Sequence, residues 1–214
     1  MVVAGNVVTA SMTQARRIVA VFVPFTFNSD GTGITITAYT GGRSGEVIPS
    51  TVNGLPVTGI ASYAFLGCAG LSSVTLPAGV TNIGNYAFFN CANLSNIYFR
   101  GNAPIIGSFA FSGGTPATVY YLPNTAGWET FGYSPAVLWD PQIQQGVAFG
   151  VQANCFGFTI TNAGSPTIVV DAATNLTGGL WTPVSTNTLT GGSASFSDPA
   201  WTNYPVRFYR FRSP

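Results

Sequence analysis

The stretch IGNYAFFNC, residues 83–91, follows the stretch IASYAFLGC, residues 60–68, at a step of 23 residues. Self-similarity at a fixed period of about 20 to 50 residues indicates a repeat architecture, in which equivalent side chains form columns. The same step relates residues at several positions of the unit: Ile60, Ile83 and Ile106; Tyr63, Tyr86 and Phe109; Phe65, Phe88 and Phe111; Cys68 and Cys91. The sequence therefore predicts a solenoid of stacked coils.

Each unit has a short strand, as in LSSVTLP and LSNIYFR, then a second extended piece that ends at the Ile, and then a tight turn of helix that holds Ala-Phe. One unit cannot bury its own apolar residues, so the units stack and share one continuous core. Strands of successive coils are expected about 4.8 Å apart in a parallel sheet. The columns are therefore interpreted as a structural ladder: Ile60, Ile83, Ile106, Phe65, Phe88, Phe111, Cys68 and Cys91.

The stretch LSSVTLPAGVTNIGNYAFFNCANLSNIYF resembles the BspA-type, or treponemal-type, leucine-rich repeat of secreted and surface bacterial proteins. The resemblance spans residues 46–113 and rests on the signature Ile-Gly-x-x-Ala-Phe-x-x-Cys. It implies a short leucine-rich-repeat solenoid. It also implies a role in adhesion, because the family includes adhesins that contact host proteins or neighbouring cells.

The two ends of the array have their own signals. An earlier partial unit, EVIPSTVNGLPVTGI, carries five extra residues at TVNGL. Upstream of it, FTFNSDGTGITITAYTGG predicts a hairpin that turns at Asp30 and Gly31 and caps one end. The segment 117–139 resembles the closing segment of such arrays, with Trp128 and Trp139 expected to cover the last coil.

Beyond residue 142 the period ends, and strand-like pieces alternate with Gly, Asn, Pro and Ser clusters at intervals of roughly ten residues. This pattern is typical of an antiparallel β-sandwich. The predicted fold is therefore mainly β, a short leucine-rich-repeat solenoid followed by a small sandwich. The predicted domains are residues 1–45 as N-terminal strands and cap, residues 46–139 as the solenoid with its cap, and residues 140–214 as the sandwich.

The composition favours a location outside the cell. Charged residues make up only 6% of the 214-residue chain, and the net charge is +1, so an electrostatic grip on nucleic acid or an anionic membrane is not expected. The longest purely apolar run, IVAVFVPF, is too short to span a membrane. Residues 1–27 are either a degraded export signal or strands packed on the rest of the protein.

Catalytic groups are scarce. The chain contains no His, so Ser-His-Asp and Cys-His systems and the usual zinc sites cannot be built. Its six carboxylates are separated along the chain: Asp30, Glu46, Glu129, Asp140, Asp171 and Asp198. No catalytic residue, cofactor or metal site is predicted, and a glycoside-hydrolase-like enzyme remains only a third alternative.

Cys68 and Cys91 occupy equivalent places in adjacent coils, with their Cα atoms expected near 5 Å apart, which is within disulfide range. Stacked parallel side chains rarely have the torsion that the bond requires, so two reduced, buried thiols are favoured. Cys155 has no evident partner and is expected to be buried in a strand.

Two functions follow from these features. The first is a non-enzymatic, extracellular or cell-surface bacterial protein that binds a protein or a glycan through exposed ladder positions, namely Ser73, Thr75, Asn96 and Tyr98. The second is a structural subunit that binds copies of itself into filaments or a surface layer through residues 1–27, because exposed strands can complete a neighbour's sheet.

Overall fold

The computed structural model describes residues 2–4, 7–9, 24–131, 133, 136–144, 148–164, 166–177 and 180–214. Near the N-terminus, β1 (Val2–Ala4) pairs antiparallel with β2 (Val7–Thr9). The prediction about residues 1–27 falls mostly on 10–23, which lie outside the described residues. No helix in the described ranges is long and apolar enough to cross a membrane.

Two sheets form the solenoid and run along its length. Strands β13, β12, β10, β8 and β5 form the first sheet in that order, and β11, β9, β7, β4 and β3 form the second, with β6 paired to β7. Their bounds are β3 (Phe25–Ser29), β4 (Ile34–Tyr39), β5 (Gly45–Val47), β6 (Thr51–Val52), β7 (Leu55–Ile60), β8 (Ser73–Leu76), β9 (Asn82–Ile83), β10 (Asn96–Phe99), β11 (Ile105–Ile106), β12 (Thr118–Tyr121) and β13 (Ala136–Leu138). All pairs between successive coils are parallel.

The pairing register follows the sequence period. Ser73 pairs with Asn96, one full period ahead. Gly45 also pairs with Ser73, and the offset between these two residues is five residues longer than the period. The longer offset matches the predicted insertion. The extra residues form a small hairpin of β6 and β7 that turns at Asn53 and Gly54, both with positive φ. An Asn-Gly pair adopts this left-handed turn at low cost, so the insertion leaves the coil undisturbed.

The core between the sheets consists of side-chain columns. Phe65, Phe88 and Phe111 are buried and stacked, with ring centroids 4.5 and 5.1 Å apart. Ile60 and Ile83 are buried beside them, whereas Ile106 in the last coil is half-buried. Equivalent apolar side chains from successive coils thus build one shared core.

The Ala-Phe segment, expected as a tight turn of helix, consists of consecutive hydrogen-bonded turns. Tyr63 has a φ of 64°, which interrupts helical dihedral angles. Alternate N–H groups also point along the solenoid axis: Phe65 N donates to Ala87 O of the next coil at 2.7 Å, and Phe88 N donates to Ala110 O at 2.7 Å. Backbone donors used between coils are not available for a helix within one coil.

Both ends of the Phe column are covered. The predicted hairpin is present as β3 and β4, and Asp30 Oδ1 accepts the N–H groups of Thr32 and Gly33 at 2.8 Å. The ring of Tyr39, at the end of β4, stacks on Phe65 at 5.0 Å. At the other end, the Tyr133 ring lies 5.0 Å from that of Phe111.

The short 3-10 helix Trp128–Thr130 completes the C-terminal cap. Trp128 is buried and stacks on Tyr121 at 5.1 Å, as predicted for a cap residue. The prediction for Trp139 is wrong, because its ring packs against the core of the C-terminal strands and not against the last coil. The chain leaves the solenoid after β13, which carries Trp139 into the next core.

Two antiparallel sheets follow the solenoid. In one sheet, β16 pairs with each of β14, β15 and β19. In the other, β17 lies between β18 and β20. Their bounds are β14 (Gln142–Gln144), β15 (Gly150–Gln152), β16 (Cys155–Thr161), β17 (Thr167–Ala173), β18 (Thr182–Thr188), β19 (Ser193–Asp198) and β20 (Phe208–Arg212). Phe158, Ile168 and Phe196 belong to a separate core between them. The predicted fold class, a solenoid followed by antiparallel β structure, is confirmed.

Ion pairs tie the last strand to these sheets. The buried carboxylate of Asp171 lies 3.2 Å from Arg210 Nη2 and 3.0 Å from Arg212 Nε. Asp198, also buried, lies 2.6 Å from Arg207 Nε and accepts the Tyr209 hydroxyl at 2.9 Å. Two buried carboxylates thus hold three of the seven arginines as structural partners.

Candidate binding surface

The outer face of the first sheet is covered by the C-terminal strands. Tyr98 Oη accepts Thr167 N at 2.9 Å, and Thr75 Oγ1 donates to Pro214 O at 2.8 Å. Thr75 is 1% exposed and Tyr98 is 2% exposed, so the prediction that these two positions are exposed is wrong. Packing of the C-terminal strands on this sheet is the physical reason.

Ser73 and Asn96, the other two predicted contact residues, lie on the same sheet. Both are half-buried, and they pair with each other across β8 and β10. The structure therefore brings all four predicted residues onto adjacent strands of one face. It leaves only Ser73 and Asn96 partly open to solvent, and for these two the binding role stays a prediction.

On the covered face, burial shifts the pKa values of Tyr98 and Arg100. Burial raises the pKa of Tyr98 to about 12. Burial also lowers the pKa of Arg100, and the positive charge of Arg212 lowers it further. Arg100 Nη2 lies 3.4 Å from Ser213 Oγ, so the C-terminal segment supplies this half-buried guanidinium with a polar contact. The contact between the two parts of the chain thus includes polar groups from both sides.

Replacement of Tyr98 by Phe tests this contact. Tyr98→Phe leaves Thr167 N–H without its acceptor, and we expect the free energy of unfolding to fall by about 1–3 kcal/mol at pH 7. The pKa of Tyr98 is higher in the folded chain, so the folded state holds more protons and loses stability as the pH rises from about 10 to about 12. Urea unfolding at pH 7, 10 and 11 should show a smaller alkaline loss in the variant. An equal alkaline loss in both proteins would contradict this account.

A row of aromatic rings remains open on the turn side of the solenoid. This aromatic row consists of Tyr63, Tyr86 and Phe109, with ring centroids 5.4 and 5.3 Å apart and nearly parallel planes. Tyr63 is 55% exposed and Phe109 is 59% exposed. The ring of Phe89 meets Tyr86 edge-on at 5.4 Å and widens the apolar strip. An exposed strip of stacked rings is suited to binding, because it loses little rotamer freedom when covered.

The backbone of the aromatic row is strained. Tyr63, Tyr86 and Phe109 have φ values of 64°, 57° and 57°, in the left-handed region. This conformation costs about 1–2 kcal/mol for most residues, whereas Gly, which has no Cβ, and Asn, whose short polar side chain can hydrogen-bond locally, adopt it at lower cost. Ring stacking returns about 0.5–1.5 kcal/mol per pair. Because the two terms are similar in size, stability alone gives little reason for aromatic residues at these positions.

The sequence did show this row as a column at the 23-residue step, but the column was not separated from the core columns. In a strand, Tyr63 and Phe65 would share one face, because side chains alternate. The left-handed φ of Tyr63 breaks that alternation and turns its ring outward, while Ala64 and Phe65 remain buried. A large aromatic residue directly before the buried Ala-Phe pair was the available signal.

The outer face of the second sheet is flatter and more polar. Thr35, Thr58 and Thr81 line a shallow groove of about 360 Å³ together with Gly59 and Asn82. The hydroxyls of Thr58 and Thr81 each lie 3.4 Å from a carbonyl of the preceding coil. These hydroxyls are therefore partly used within the fold, which makes this face the weaker candidate.

A second groove, here called the end groove, lies where the second sheet stops at β11. It has a volume of about 540 Å³ and is lined by Ile105, Ile106, Phe109, Phe131 and Tyr133, among others. Most of its lining side chains are apolar, but polar atoms supply about half of its exposed lining, and Ile105 is 75% exposed. The end groove adjoins the aromatic row through Phe109, so the two surfaces are continuous.

The cysteines form no disulfide. Cys68, Cys91 and Cys155 are free, and Cys91 Sγ donates to Phe65 O at 3.0 Å. Burial raises the pKa of Cys91 to about 11 and also raises that of Cys68. Cys91 is buried, but Cys68 and Cys155 are half-buried, so the burial expected for these two is incomplete. Within the described ranges, no three Cys, Asp or Glu side chains lie close enough together to hold a metal ion.

The stacked coils, their 23-residue register and the Ala-Phe turns agree with a known repeat type. A family model for the BspA type leucine rich repeat region matches residues 48–134 with six copies. The repeat region is of the BspA type. This confirms the resemblance seen in the sequence, and the matched residues contain the strands from β6 to β12 and the short 3-10 helix of the C-terminal cap. No curated protein matches the chain.

Two solved structures are similar to the chain. A leucine-rich repeat protein from T. pallidum is 31% identical over 49% of this chain and 60% of its own, with a TM-score of 0.39. A leucine-rich cell surface protein from Faecalibacterium prausnitzii is 27% identical over 50% of this chain and 33% of its own, with a TM-score of 0.38. This chain therefore spans less than two thirds of either protein.

Proposed function

We propose that this chain is a non-enzymatic, extracellular or cell-surface bacterial repeat protein that binds a protein or glycan partner through its aromatic row. The observation that carries the proposal is the row itself, three stacked and partly exposed rings that the fold holds in a strained conformation. Strain retained at exposed positions points to a function, since Gly or Asn would relieve it. The BspA-type repeats support a binding role.

The chemistry of the row indicates the class of partner. Its rings present apolar edges and the hydroxyls of Tyr63 and Tyr86, and charged residues make up only 6% of the chain. Such a strip suits a partner with apolar patches and hydroxyl or amide groups, such as a sugar chain or a neutral peptide surface. It does not suit nucleic acid, whose binding depends on cations that neutralise phosphates.

The proposed domain organisation explains why a partner would reach the aromatic row and not the first sheet. We divide the chain into N-terminal strands and cap (residues 1–45), the leucine-rich repeat region with its C-terminal cap (46–139) and the antiparallel C-terminal part (140–214). The C-terminal part covers the outer face of the first sheet through Thr167 and Pro214. It therefore directs partners to the turn side, where the aromatic row lies.

Loss of the row should abolish retention on the partner. The double variant Tyr63→Asn and Tyr86→Asn keeps residues that tolerate the left-handed backbone, so its fold should be preserved. On glycan arrays, cell-surface extracts and matrix proteins, we expect at least a tenfold loss of affinity for any ligand that the unaltered protein retains. Tyr204→Asn, which removes an exposed tyrosine from the C-terminal part, is the matched control. Equal binding by the double variant, or no binding by the unaltered protein, would refute the proposal.

A further inference from the structure

We propose that a second copy of this chain docks at the end groove, with the β3 edge of one copy pairing with the β11 edge of the next. The contact is head-to-tail and uses opposite ends of the leucine-rich repeat region. It does not rest on the proposed ligand binding, although the end groove shares Phe109 with the aromatic row. It differs from assembly through the apolar N-terminal residues 1–27 as a whole, because its strands are β3 (Phe25–Ser29) and β11 (Ile105–Ile106).

The two sheets are staggered along the solenoid axis. Strand β5 begins the first sheet in the same coil as β7, but the second sheet continues past β7 by two more strands, β4 and β3. At the other end, β10 and β11 share a coil, and there the first sheet continues by two strands, β12 and β13. The second sheet thus extends two strands beyond the first sheet at one end and stops two strands before it at the other, which leaves a recess beside β11. A second copy moved along the axis by five strand spacings makes the second sheet continuous.

The backbone of the last coil has unused donors that face this recess. Ile105 N and Gly107 N donate to Thr81 O and Ile83 O at 2.9 and 2.7 Å, so the N–H of Ile106 between them points away from β9 toward the end groove. In the preceding coil, Tyr86 N and Phe88 N donate to the next coil. The corresponding N–H groups of Phe109 and Phe111 make no hydrogen bond within the described residues. An occupant that displaces water from these donors must therefore supply acceptors, as the backbone carbonyls of an added strand do.

Apolar side chains match across the two ends. In the end groove, Ile106 and Tyr133 are only half-buried against the core. On β3, Phe27 pairs with buried Ile36 and points to the same inner face, yet it is also only half-buried. With β3 beside β11, Phe27 of the incoming copy lies next to Ile106 and completes its burial. Each end thus supplies an apolar side chain that covers the half-buried side chain of the other end.

The first sheet indicates which edge carries the contact. Asn162 Nδ2 donates to Leu138 O at 3.1 Å, so the C-terminal part already occupies a carbonyl at the outer edge of β13. The same shift brings β5 of the next copy beside β13, but full strand pairing there is blocked at that carbonyl. The second sheet carries the pairing, and β3 joins β11 antiparallel, because β3 runs opposite to β4 whereas β4, β7, β9 and β11 are parallel.

Charges also favour opposite ends over like ends. Arg43, just before β5, is exposed at one end, and Glu129, in the 3-10 helix, is exposed at the other. Neither forms an ion pair within the described residues. A head-to-tail contact brings these opposite charges to the same junction, whereas a symmetric contact of two end grooves places two Glu129 side chains there. The net charge of +1 adds little repulsion between copies.

Two end-blocked variants of the full chain test this contact. Ile105→Lys with Phe109→Lys places charges in the end groove, and Phe27→Lys places one on β3. Charged edge residues prevent strand addition. Leu180→Lys, at an exposed position of the C-terminal part, is the control for added charge. Masses in solution are measured across a concentration series, and circular dichroism melting shows that each variant is folded.

We expect the unaltered protein and Leu180→Lys to grow in mass with concentration, with an axial repeat near 24 Å by electron microscopy for five strand spacings. Each blocked variant alone should self-associate at least tenfold more weakly. Their equimolar mixture should form a dimer and stop there, because one intact groove meets one intact β3. Dimers of Phe27→Lys alone, or a mixture of folded variants that stays monomeric, would overturn the proposal, and so would an unaltered protein that remains monomeric throughout.

Discussion

Replacement of Phe88 by Ala is expected to lower the free energy of unfolding of the leucine-rich repeat region by about 3–5 kcal/mol. Phe88 is 1% exposed, and its ring is stacked between those of Phe65 and Phe111. Its removal leaves a cavity in the middle of the column, and the coils above and below cannot close it without breaking their backbone hydrogen bonds. Large-to-small changes cost most where the surroundings cannot collapse.

Urea unfolding followed by far-ultraviolet circular dichroism measures this loss. Phe149→Ala serves as the matched control, because Phe149 is an exposed phenylalanine outside the repeat region, and its replacement should change stability by less than about 0.5 kcal/mol. A loss below about 1 kcal/mol in Phe88→Ala would show that the ring is not part of a continuous core. The two separate cores also predict that the C-terminal part keeps its structure longer than the solenoid in this variant.

Replacement of Gly84 by Ala is expected to cost about 3 kcal/mol, at the upper end of what overpacking usually costs. Gly84 follows the repeat Ile83, and a Cβ on it would collide with the backbone nitrogen of Ser62 in the preceding coil. Gly107, one coil further on, has the same close approach to Asn85. Because the obstacle is backbone, relief requires the two coils to move apart along the axis.

Ala61 provides the control for this effect. It occupies the same place in the unit as Gly84, but it lies in the coil of β7, where β4 and its hairpin take the place of a preceding repeat. Ala61→Gly should therefore change stability by only about 0.5–1 kcal/mol, the ordinary backbone cost of glycine. Thermal melts of both variants measure the two effects. Similar small decreases in melting temperature for Gly84→Ala and Ala61→Gly would mean that coil spacing does not depend on glycine.

Much of the solenoid follows from residues that interact only with their own unit or the next one. The 23-residue step predicts the pairing of Ser73 with Asn96, and the five extra residues predict the longer offset of Gly45. The turn at Asp30 is equally local, because its carboxylate binds the N–H groups of residues two and three positions ahead. In a repeat protein each unit contacts mainly its neighbours, so a local pattern carries most of the fold.

The sequence by itself thus determined the repeat period, the parallel register, the capping hairpin and the antiparallel character of the C-terminal part. Only the tertiary structure decided which faces stay open. Thr75 and Tyr98 lie on strands that read as half-exposed, but they are buried because Thr167 and Pro214, far away in the chain, pack on them. Tyr63 is turned outward by a left-handed backbone that the next coil stabilises. Contacts between segments distant in sequence leave no periodic signal, so the candidate surface became visible only in the folded chain.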